Sequence, residues 1–241
     1  MPLPTPPQTL LRDAALFLDF DGTLVDIAER PDAIRVEPAL LGLLQTLEER
    51  LQGRLTLVSG RASADVRAWL APLQVSVVGS HGLERDGVTV ARSAALDEGL
   101  SHLRAVLARH EGVIVEEKPM GAALHYREAP AAEQECHAAA AAVAERLGME
   151  VQPGKMVVEI KPAHGDKGTA IEALMAEPRL AGTRPVFIGD DLTDEHGFAV
   201  VRRLGGAGIL VGKERETEAA FRLASVTEVH RWLTQASEVL A

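Results

Sequence analysis

The sequence is poor in cysteine and in aromatic residues. Cys136 is the only cysteine among 241 residues, and Phe, Trp and Tyr together make up 3%. A single cysteine excludes an internal disulfide and fits a reducing compartment, and its place in an alanine-rich helical pattern favours a packed thiol over a nucleophile. So few aromatic side chains exclude a base-stacking platform for single-stranded nucleic acid.

Positive charge and long apolar runs are scarce as well. The chain has 25 Lys and Arg against 35 Asp and Glu, a formal charge of −10, and no dense basic run, which predicts no nucleic-acid partner. No apolar stretch approaches the length of a membrane helix, and the start MPLPTPPQTL lacks the basic and apolar parts of a secretory signal. We therefore expect a cytoplasmic protein without a membrane partner, and a poorly ordered lead-in over residues 1–12.

What the sequence does contain is a pair of aspartates at the end of an apolar run. Residues 14–18 have the length and composition of a buried strand, and Asp19 and Asp21 follow them before the turn at Gly22. Because side chains alternate along an extended chain, both carboxylates point to one side and Phe20 to the other. Two such carboxylates are costly to hold together unless a cation or protons neutralise them. The pattern favours a divalent-metal site with a reactive carboxylate over two carboxylates that merely cap a loop.

Two further apolar runs end in polar residues. Residues 55–58 lead into Ser59-Gly60-Arg61, and residues 185–188 lead into Gly189-Asp190-Asp191. Helical patterns lie between and after these runs, over residues 38–50, 62–70 and 193–204. Strands that alternate with helices predict a parallel sheet with helices on both faces, and a ligand site beyond the carboxyl ends of its strands. The three polar strand ends are therefore expected in one crevice, although a lone serine at such a place is usually a helix cap.

One lysine occupies a position that local energetics do not favour. In the segment HGDKGTAIEALMA, Asp166 is predicted to cap a helix, which places Lys167 in its first turn. A cation there opposes the helix dipole. Position alone leaves two interpretations open: a solvated surface lysine, or a lysine paired with a bound anion or with the carboxylate cluster.

Four of these segments, in chain order, resemble the motifs of haloacid dehalogenase (HAD) phosphatases. They are Asp19-Phe20-Asp21-Gly22-Thr23-Leu24, Ser59-Gly60, Lys167-Gly168 and Gly189-Asp190-Asp191-x-x-Asp194. The resemblance implies an α/β protein with a Rossmann-like HAD core, a parallel sheet with helices on both faces, and an inserted α/β cap domain of the C2 type. It also implies Mg²⁺ as the cofactor.

The same resemblance assigns chemical roles. Asp19 would attack phosphorus to form an aspartyl-phosphate, and Asp21 would protonate the leaving oxygen and then deprotonate the attacking water. Ser59 and Lys167 would hold the transferring phosphoryl oxygens. The implied metal ligands are Asp19, Asp21 through its main-chain carbonyl, and Asp190. Asp191 and Asp194 would support the metal waters or Lys167, with helix capping as the alternative.

The segment between the second and third motifs is too long for a simple crossover. Its pattern predicts helices over residues 96–110 and 131–147, and strands over residues 113–117, 122–127 and 156–160. We interpret residues 84–161 as a cap inserted into a core made of residues 13–83 and 162–241. Such a cap would close over the site and confer substrate specificity.

Polar motifs in and beside this segment resemble those of the trehalose-6-phosphate phosphatases. They are GSHGLE from Gly79, VEEK from Val115, LHYR from Leu124 and GKMVVEI from Gly154. The resemblance implies a substrate-binding set of Gly60, Arg61, His81, Glu116, Lys118, Arg127 and Glu159. The four cap residues of this set would hydrogen-bond sugar hydroxyls. The alternative is that these charges only solvate the cap.

The resemblance thus implies a monomeric enzyme that hydrolyses trehalose 6-phosphate, a small-molecule sugar phosphate, in the last step of trehalose biosynthesis. An HAD phosphatase for another sugar phosphate, of the sucrose-phosphate or mannosyl-phosphoglycerate type, is the alternative. Receiver domains also gather acidic residues, a Ser or Thr and a Lys around Mg²⁺. They are roughly half this length and lack an acid two residues after the phosphorylated Asp, so Asp21 favours an enzyme.

Overall fold

The chain folds into two compact units. The computed structural model describes residues 2–27, 34–82, 84–85, 88–89, 94–118, 121–154, 156–162 and 166–240. The first unit comprises residues 1–88 and 166–241, and the second, residues 89–165, is inserted between them. The predicted cap, residues 84–161, begins and ends a few residues before this second unit.

Strands and helices alternate along the first unit as the sequence predicts. The strands of the chain are β1 (Ala14–Leu18), β2 (Leu55–Val58), β3 (Ser76–Gly79), β4 (Glu84–Arg85), β5 (Val88–Thr89), β6 (Ile114–Lys118), β7 (Gly121–His125), β8 (Met149–Gly154), β9 (Val157–Pro162), β10 (Arg184–Gly189), β11 (Ala207–Val211) and β12 (Phe221–Leu223). The helices are α1 (Pro38–Arg50), α2 (Ser63–Leu70), α3 (Ala94–Leu107), α4 (Glu133–Leu147), α5 (Lys167–Met175), α6 (Glu195–Arg203) and α7 (Val226–Val239).

The first unit is built on a sheet in the order β12-β11-β10-β1-β2-β3-β4-β5. The six strands from β12 to β3 run parallel, and β4 is antiparallel to β3. On β1, Leu16 and Leu18 pack into one core cluster with α1, α2 and α7, whereas Ala15 and Phe17 pack into a second with α5 and α6. Because alternate side chains of one strand are buried on opposite faces, the predicted coverage of both faces by helices is confirmed.

The second unit has its own antiparallel sheet and core. Its strands lie in the order β6-β7-β9-β8. Ala122, Leu124, Val158 and Ile160 form one face and pack with residues of α3 and α4. The sequence analysis does not predict strand β8, because Pro153 and Gly154 are typical of turns. Both residues are tolerated in β8 because it is an edge strand. Among the described residues, no helix combines the length and apolar character needed to cross a membrane.

The proline-rich N-terminal segment differs from the expected disordered lead-in. Residues 8–11 form a 3-10 turn whose Leu11 is fully buried. Proline has no N–H to donate, but its carbonyl accepts: Trp232 Nε1 donates to Pro6 O at 2.9 Å, and Arg222 N donates to Pro4 O at 3.0 Å. These bonds tie residues 4–6 to α7 and β12, which composition alone does not reveal.

Candidate active site

The parallel register brings the polar strand ends together. Leu18 on β1 lies beside Leu57 on β2 and beside Ile188 on β10. Asp19, Ser59 and Asp190 therefore follow three adjacent strands at the same edge of the sheet, as the sequence predicts. Asp19 and Ser59 are buried, with 4% and 0% of their surface exposed. The edge thus presents two carboxylates and a hydroxyl in a largely enclosed setting.

Lys167 is paired with the carboxylates and is not a surface lysine. Asp166 caps α5 by accepting a hydrogen bond from Thr169 N at 2.8 Å, which places Lys167 in the first turn as predicted. Its Nζ donates to Asp19 Oδ1 and to Asp194 Oδ1, both at 2.6 Å. Burial alone would lower the pKa of Lys167, but the two carboxylates outweigh burial and raise it. Lys167 therefore remains protonated and offsets part of the negative charge of the site.

Asp194 joins Lys167 to the loop after β10. The carboxylate is fully buried. Its Oδ2 accepts hydrogen bonds from Asp190 N and Asp191 N, each at 2.9 Å, while its Oδ1 accepts from Lys167. Asp191 instead caps the 3-10 turn that follows, accepting from Leu192 N. Asp191 thus caps this turn, whereas Asp194 both contacts Lys167 and takes part in the cap by accepting from Asp191 N.

Asp19, Asp190 and Asp194 form a cluster that could hold a metal ion, with one oxygen of each within 4.8 Å of the others. Burial, followed by the charge of Asp194, raises the pKa of Asp190, and burial also raises the pKa of Asp19 despite Lys167. Gly22, at φ +76°, leaves room for this arrangement, because a Cβ there would lie 2.1 Å from Asp190 Oδ2. An all-oxygen, anionic donor set fits a hard divalent cation.

The Asp21 side chain contacts Arg61 and not the acidic cluster. Arg61 donates to it through Nε at 2.6 Å and through Nη2 at 2.7 Å, and this bond raises the pKa of Arg61. The guanidinium also lies 5.0 Å from the centre of the Trp69 ring, which stacks on Phe20. Among the described residues, the Asp21 carboxylate is thus not part of the acidic cluster, which is compatible with the predicted ligand being its main-chain carbonyl.

The start of α2, just after the loop that carries Ser59, Gly60 and Arg61, is held by Glu84, a residue to which the sequence analysis gives no role. Ser59 Oγ accepts from Arg61 N at 3.1 Å. The buried carboxylate of Glu84 accepts from Ser63 N, Ser63 Oγ and Ser80 Oγ at 2.6–2.9 Å. The GSHGLE motif contains this glutamate, but nothing in the sequence marks it as buried. The side chain of His81, from the same motif, lies outside the described residues.

Three of the four predicted cap residues share one face of the second sheet. Glu116 lies opposite Ala123, and Ala123 lies opposite Glu159, so both glutamates lie on the face away from the α3 and α4 core. Lys118, two residues along β6, donates to Glu159 Oε1 at 2.5 Å. Glu116 Oε2 lies 2.7 Å from His125 Nε2. Arg127 is exposed in a turn after β7, beyond the paired residues.

Replacing Lys167 by methionine is expected to destabilise the metal-free protein. Removing one member of a buried charge cluster leaves the remaining carboxylates uncompensated, and typically costs about 3 kcal/mol. The free energy of unfolding in urea, measured with a chelator, should fall by that amount and partly recover when Mg²⁺ is added. Lys213→Met, which changes an exposed lysine, is the control. Equal stability of the two variants would contradict the pairing described above.

Comparisons with known proteins identify the class of fold. A solved phosphatase of the haloalkanoate (HAD) enzyme superfamily from Bacteroides thetaiotaomicron matches with a TM-score of 0.63 at 15% identity, covering 95% of this chain and 96% of that one. A crystal structure of a trehalose-6-phosphate phosphatase related protein matches with a TM-score of 0.70 at 26% identity, covering 93% and 97%. The fold is therefore that of the HAD phosphatases, a parallel core with an inserted cap domain.

Sequence comparison narrows this class to a family. The family model described as trehalose-phosphatase matches residues 17–227. Over 237 residues the chain is 41% identical to the trehalose-6-phosphate phosphatase of Escherichia coli (strain K12), covering 94% of this chain and 87% of that protein. The chain belongs to the trehalose-phosphatase family and is a phosphoric monoester hydrolase.

Proposed function

We propose that this protein hydrolyses trehalose 6-phosphate to trehalose and phosphate, using Mg²⁺ and an aspartyl-phosphate intermediate. The observation that carries the proposal is the buried Asp19 carboxylate, paired with Lys167 and adjacent to Asp190 at the end of the central strands. A phosphate monoester is a doubly charged electrophile that repels anionic nucleophiles. Attack by a carboxylate therefore requires cations around it and a fixed direction of approach.

In the first half of the reaction, a carboxylate oxygen of Asp19 attacks phosphorus and the bond from phosphorus to the sugar oxygen breaks. Asp21 gives its proton to that oxygen, because a sugar alkoxide is a poor leaving group. Lys167 and the hydroxyl of Ser59 hold phosphoryl oxygens. Arg61 lies in the same loop as Ser59 and Gly60 and donates to Asp21 in this structure; binding the phosphate would require it to exchange that contact for phosphoryl oxygens.

In the second half, the Asp21 carboxylate takes a proton from water, and the resulting hydroxide attacks phosphorus. The bond between Asp19 and phosphorus breaks, which releases phosphate and restores the Asp19 carboxylate. Asp21 thus alternates between acid and base, which accounts for a second aspartate two residues after the nucleophile.

Asp19, Asp190 and the main-chain carbonyl of Asp21 would hold the Mg²⁺. When bound, the ion neutralises charge on the carboxylates and on the transferring phosphoryl group. Asp194 is less suited as a ligand, because its two oxygens already accept hydrogen bonds from Lys167 and from two backbone N–H groups. Its task is to orient the other groups.

We further propose that Glu116, Lys118, Glu159 and Arg127 bind the sugar. Carboxylates and cations engage vicinal hydroxyls through charge-assisted hydrogen bonds. Lys118 and Glu159 form an ion pair on this face of the sheet, and both side chains are partly exposed. Such a partly exposed pair adds little stability, so its presence is better explained by binding than by folding.

Changing Glu116, Lys118 and Glu159 together to Gln, Met and Gln should remove selectivity for the sugar. If each charged hydrogen bond contributes about 1.5 kcal/mol, kcat/KM for trehalose 6-phosphate should fall by about 10³-fold. The kcat/KM for p-nitrophenyl phosphate should stay nearly constant, since this ester lacks the sugar. Glu117→Gln is the matched control, because Glu117 lies on the opposite face of β6, where it contacts Arg104. An equal loss with both substrates would show that the three residues do not bind sugar.

The proposed function is tested by measuring phosphate release from trehalose 6-phosphate, sucrose 6-phosphate, glucose 6-phosphate and p-nitrophenyl phosphate, each with and without Mg²⁺. We expect strong preference for trehalose 6-phosphate and loss of activity on chelation. Mg²⁺-dependent release from the other esters alone would retain the core chemistry and reject the assigned substrate. Release that chelation leaves unchanged would reject the metal.

A further inference from the structure

The loop after β10 is also held by an arginine that is distant in sequence. Arg215, in the loop after β11, donates from Nη2 to the main-chain oxygen of Asp191 at 2.7 Å. Its side chain is largely enclosed, with 23% of its surface exposed. An arginine that donates to a backbone carbonyl restrains the conformation of that backbone.

Arg215 is itself oriented by Glu195, the first residue of α6. Glu195 Oε1 lies 2.9 Å from Arg215 Nη2. Glu195 Oε2 accepts hydrogen bonds from Thr217 Oγ1 at 3.0 Å and from Glu218 N at 2.8 Å. The glutamate therefore fixes both the guanidinium and the backbone that follows it in sequence. The pair joins the loop after β11 to the start of α6.

Together, these contacts fix three consecutive peptide groups around Asp190. Asp194 accepts from the N–H groups of Asp190 and Asp191, which holds the peptides on either side of Asp190. The next peptide is held at its oxygen by Arg215 and at its N–H by the Asp191 side chain, which accepts from Leu192 N. Without Arg215, the main-chain oxygen of Asp191 loses its side-chain donor. The backbone beside Asp190 is then less restrained, and so is the direction of the Asp190 carboxylate.

We infer that Arg215, oriented by Glu195, is a positioning residue that fixes Asp190 for cation binding. This inference rests on the proposed function, because it takes Asp190 as a Mg²⁺ ligand. Arg215 acts through the backbone of Asp191, so its loss should weaken the metal site and leave sugar recognition unchanged. Residues that orient ligands in this way typically contribute 10- to 100-fold to metal affinity or activity.

The test is to measure the Kd of Mg²⁺ for chelator-treated protein by titration calorimetry, without substrate. Arg215→Met should raise the Kd for Mg²⁺ by about 10-fold, and Arg215→Lys, which keeps a cationic donor, should raise it less. At saturating Mg²⁺ the KM for trehalose 6-phosphate should be unchanged in both variants. Arg203→Met is the control, because Arg203 lies at the opposite end of α6 from Glu195 and pairs with the exposed Glu172.

The outcomes separate the inference from the proposed function. If wild type binds Mg²⁺ and a folded Arg215→Met variant binds it with the same Kd, the inference is overturned while the function stands. If wild type does not bind Mg²⁺, the metal assignment fails and the inference fails with it. If Arg215→Met does not fold, as judged by circular dichroism, Arg215→Lys decides: an increased Kd supports the inference, and a wild-type Kd overturns it.

Discussion

Replacing Asp19 by asparagine is expected to abolish turnover, lowering kcat for trehalose 6-phosphate by about 10⁴-fold or more. Asparagine matches aspartate in shape and can still accept the hydrogen bond from Lys167, but it has no anionic oxygen to attack phosphorus. The same substitution removes a charge from the proposed Mg²⁺ site. Both effects lower the rate, and the fold should persist because the side chain keeps its volume.

The measurement is phosphate release by the purified Asp19→Asn protein at saturating Mg²⁺, with the circular dichroism spectrum as the check on folding. Asp26→Asn is the control, because Asp26 is exposed in the same loop after β1 and should retain nearly full activity. Activity of Asp19→Asn above a few per cent of wild type, persisting after removal of deamidated protein, would show that the nucleophile is elsewhere.

Replacing Asp21 by asparagine is expected to slow both phosphorylation and dephosphorylation of the enzyme with trehalose 6-phosphate. With p-nitrophenyl phosphate it is expected to slow only dephosphorylation. With trehalose 6-phosphate the leaving sugar oxygen needs a proton, so turnover should fall by about 10³-fold. With p-nitrophenyl phosphate the leaving group departs without a proton, so the enzyme should still be phosphorylated. The water attack that follows lacks its base and becomes limiting.

The expected observation for Asp21→Asn is a burst of one nitrophenolate per active site, followed by slow steady release. Stopped-flow absorbance measures the burst, and wild type, which regenerates its Asp19 carboxylate rapidly, is the comparison. Arg61→Lys serves as the matched control, because it alters the partner of Asp21 and leaves the acid in place, so its phosphoenzyme should still turn over. Wild-type hydrolysis of both esters by Asp21→Asn would contradict the assigned acid and base.

The parts of the fold and site that sequence predicts are those set by local pattern. The apolar runs before Asp19, Ser59 and Asp190 are strands in the structure, and a parallel sheet necessarily brings their carboxyl ends to one edge. Side-chain alternation predicts that Asp19 and Asp21 point to one side, but in the structure Asp19 joins the acidic cluster whereas the Asp21 carboxylate contacts Arg61. Strand period alone does not put Glu116 and Glu159 on one face, because that placement also needs the register of β7 with β6 and β9.

The parts that sequence could not predict depend on contacts between distant segments. The position of Lys167 in the sequence does not identify its partner. The fold brings Lys167 against both Asp19 and Asp194. Glu84 and Arg215 act on backbone groups 21 and 24 residues away, and no periodicity encodes such contacts. The N-terminal prolines were expected to be poorly ordered because composition does not show that their carbonyls accept from Trp232 and Arg222.

The charge balance of the site explains why these distant contacts matter. Three carboxylates lie within one small volume, and Lys167 is the cation that the described residues place directly against two of them. The remaining negative charge favours a divalent cation. Asp194 and Arg215 hold the loop that carries Asp190, which we propose as a ligand of this cation.

The most direct test of the central claim is to identify the residue that carries the phosphoryl group. The Asp21→Asn protein is mixed with p-nitrophenyl phosphate and Mg²⁺, quenched, and reduced with borohydride, which converts an acyl phosphate of aspartate to homoserine. Peptide mass spectrometry then locates the change. If Asp19 carries the phosphoryl group, we expect homoserine in place of Asp19 in an amount that matches the nitrophenolate burst. Homoserine at another aspartate, or a burst without any reduced residue, would contradict it.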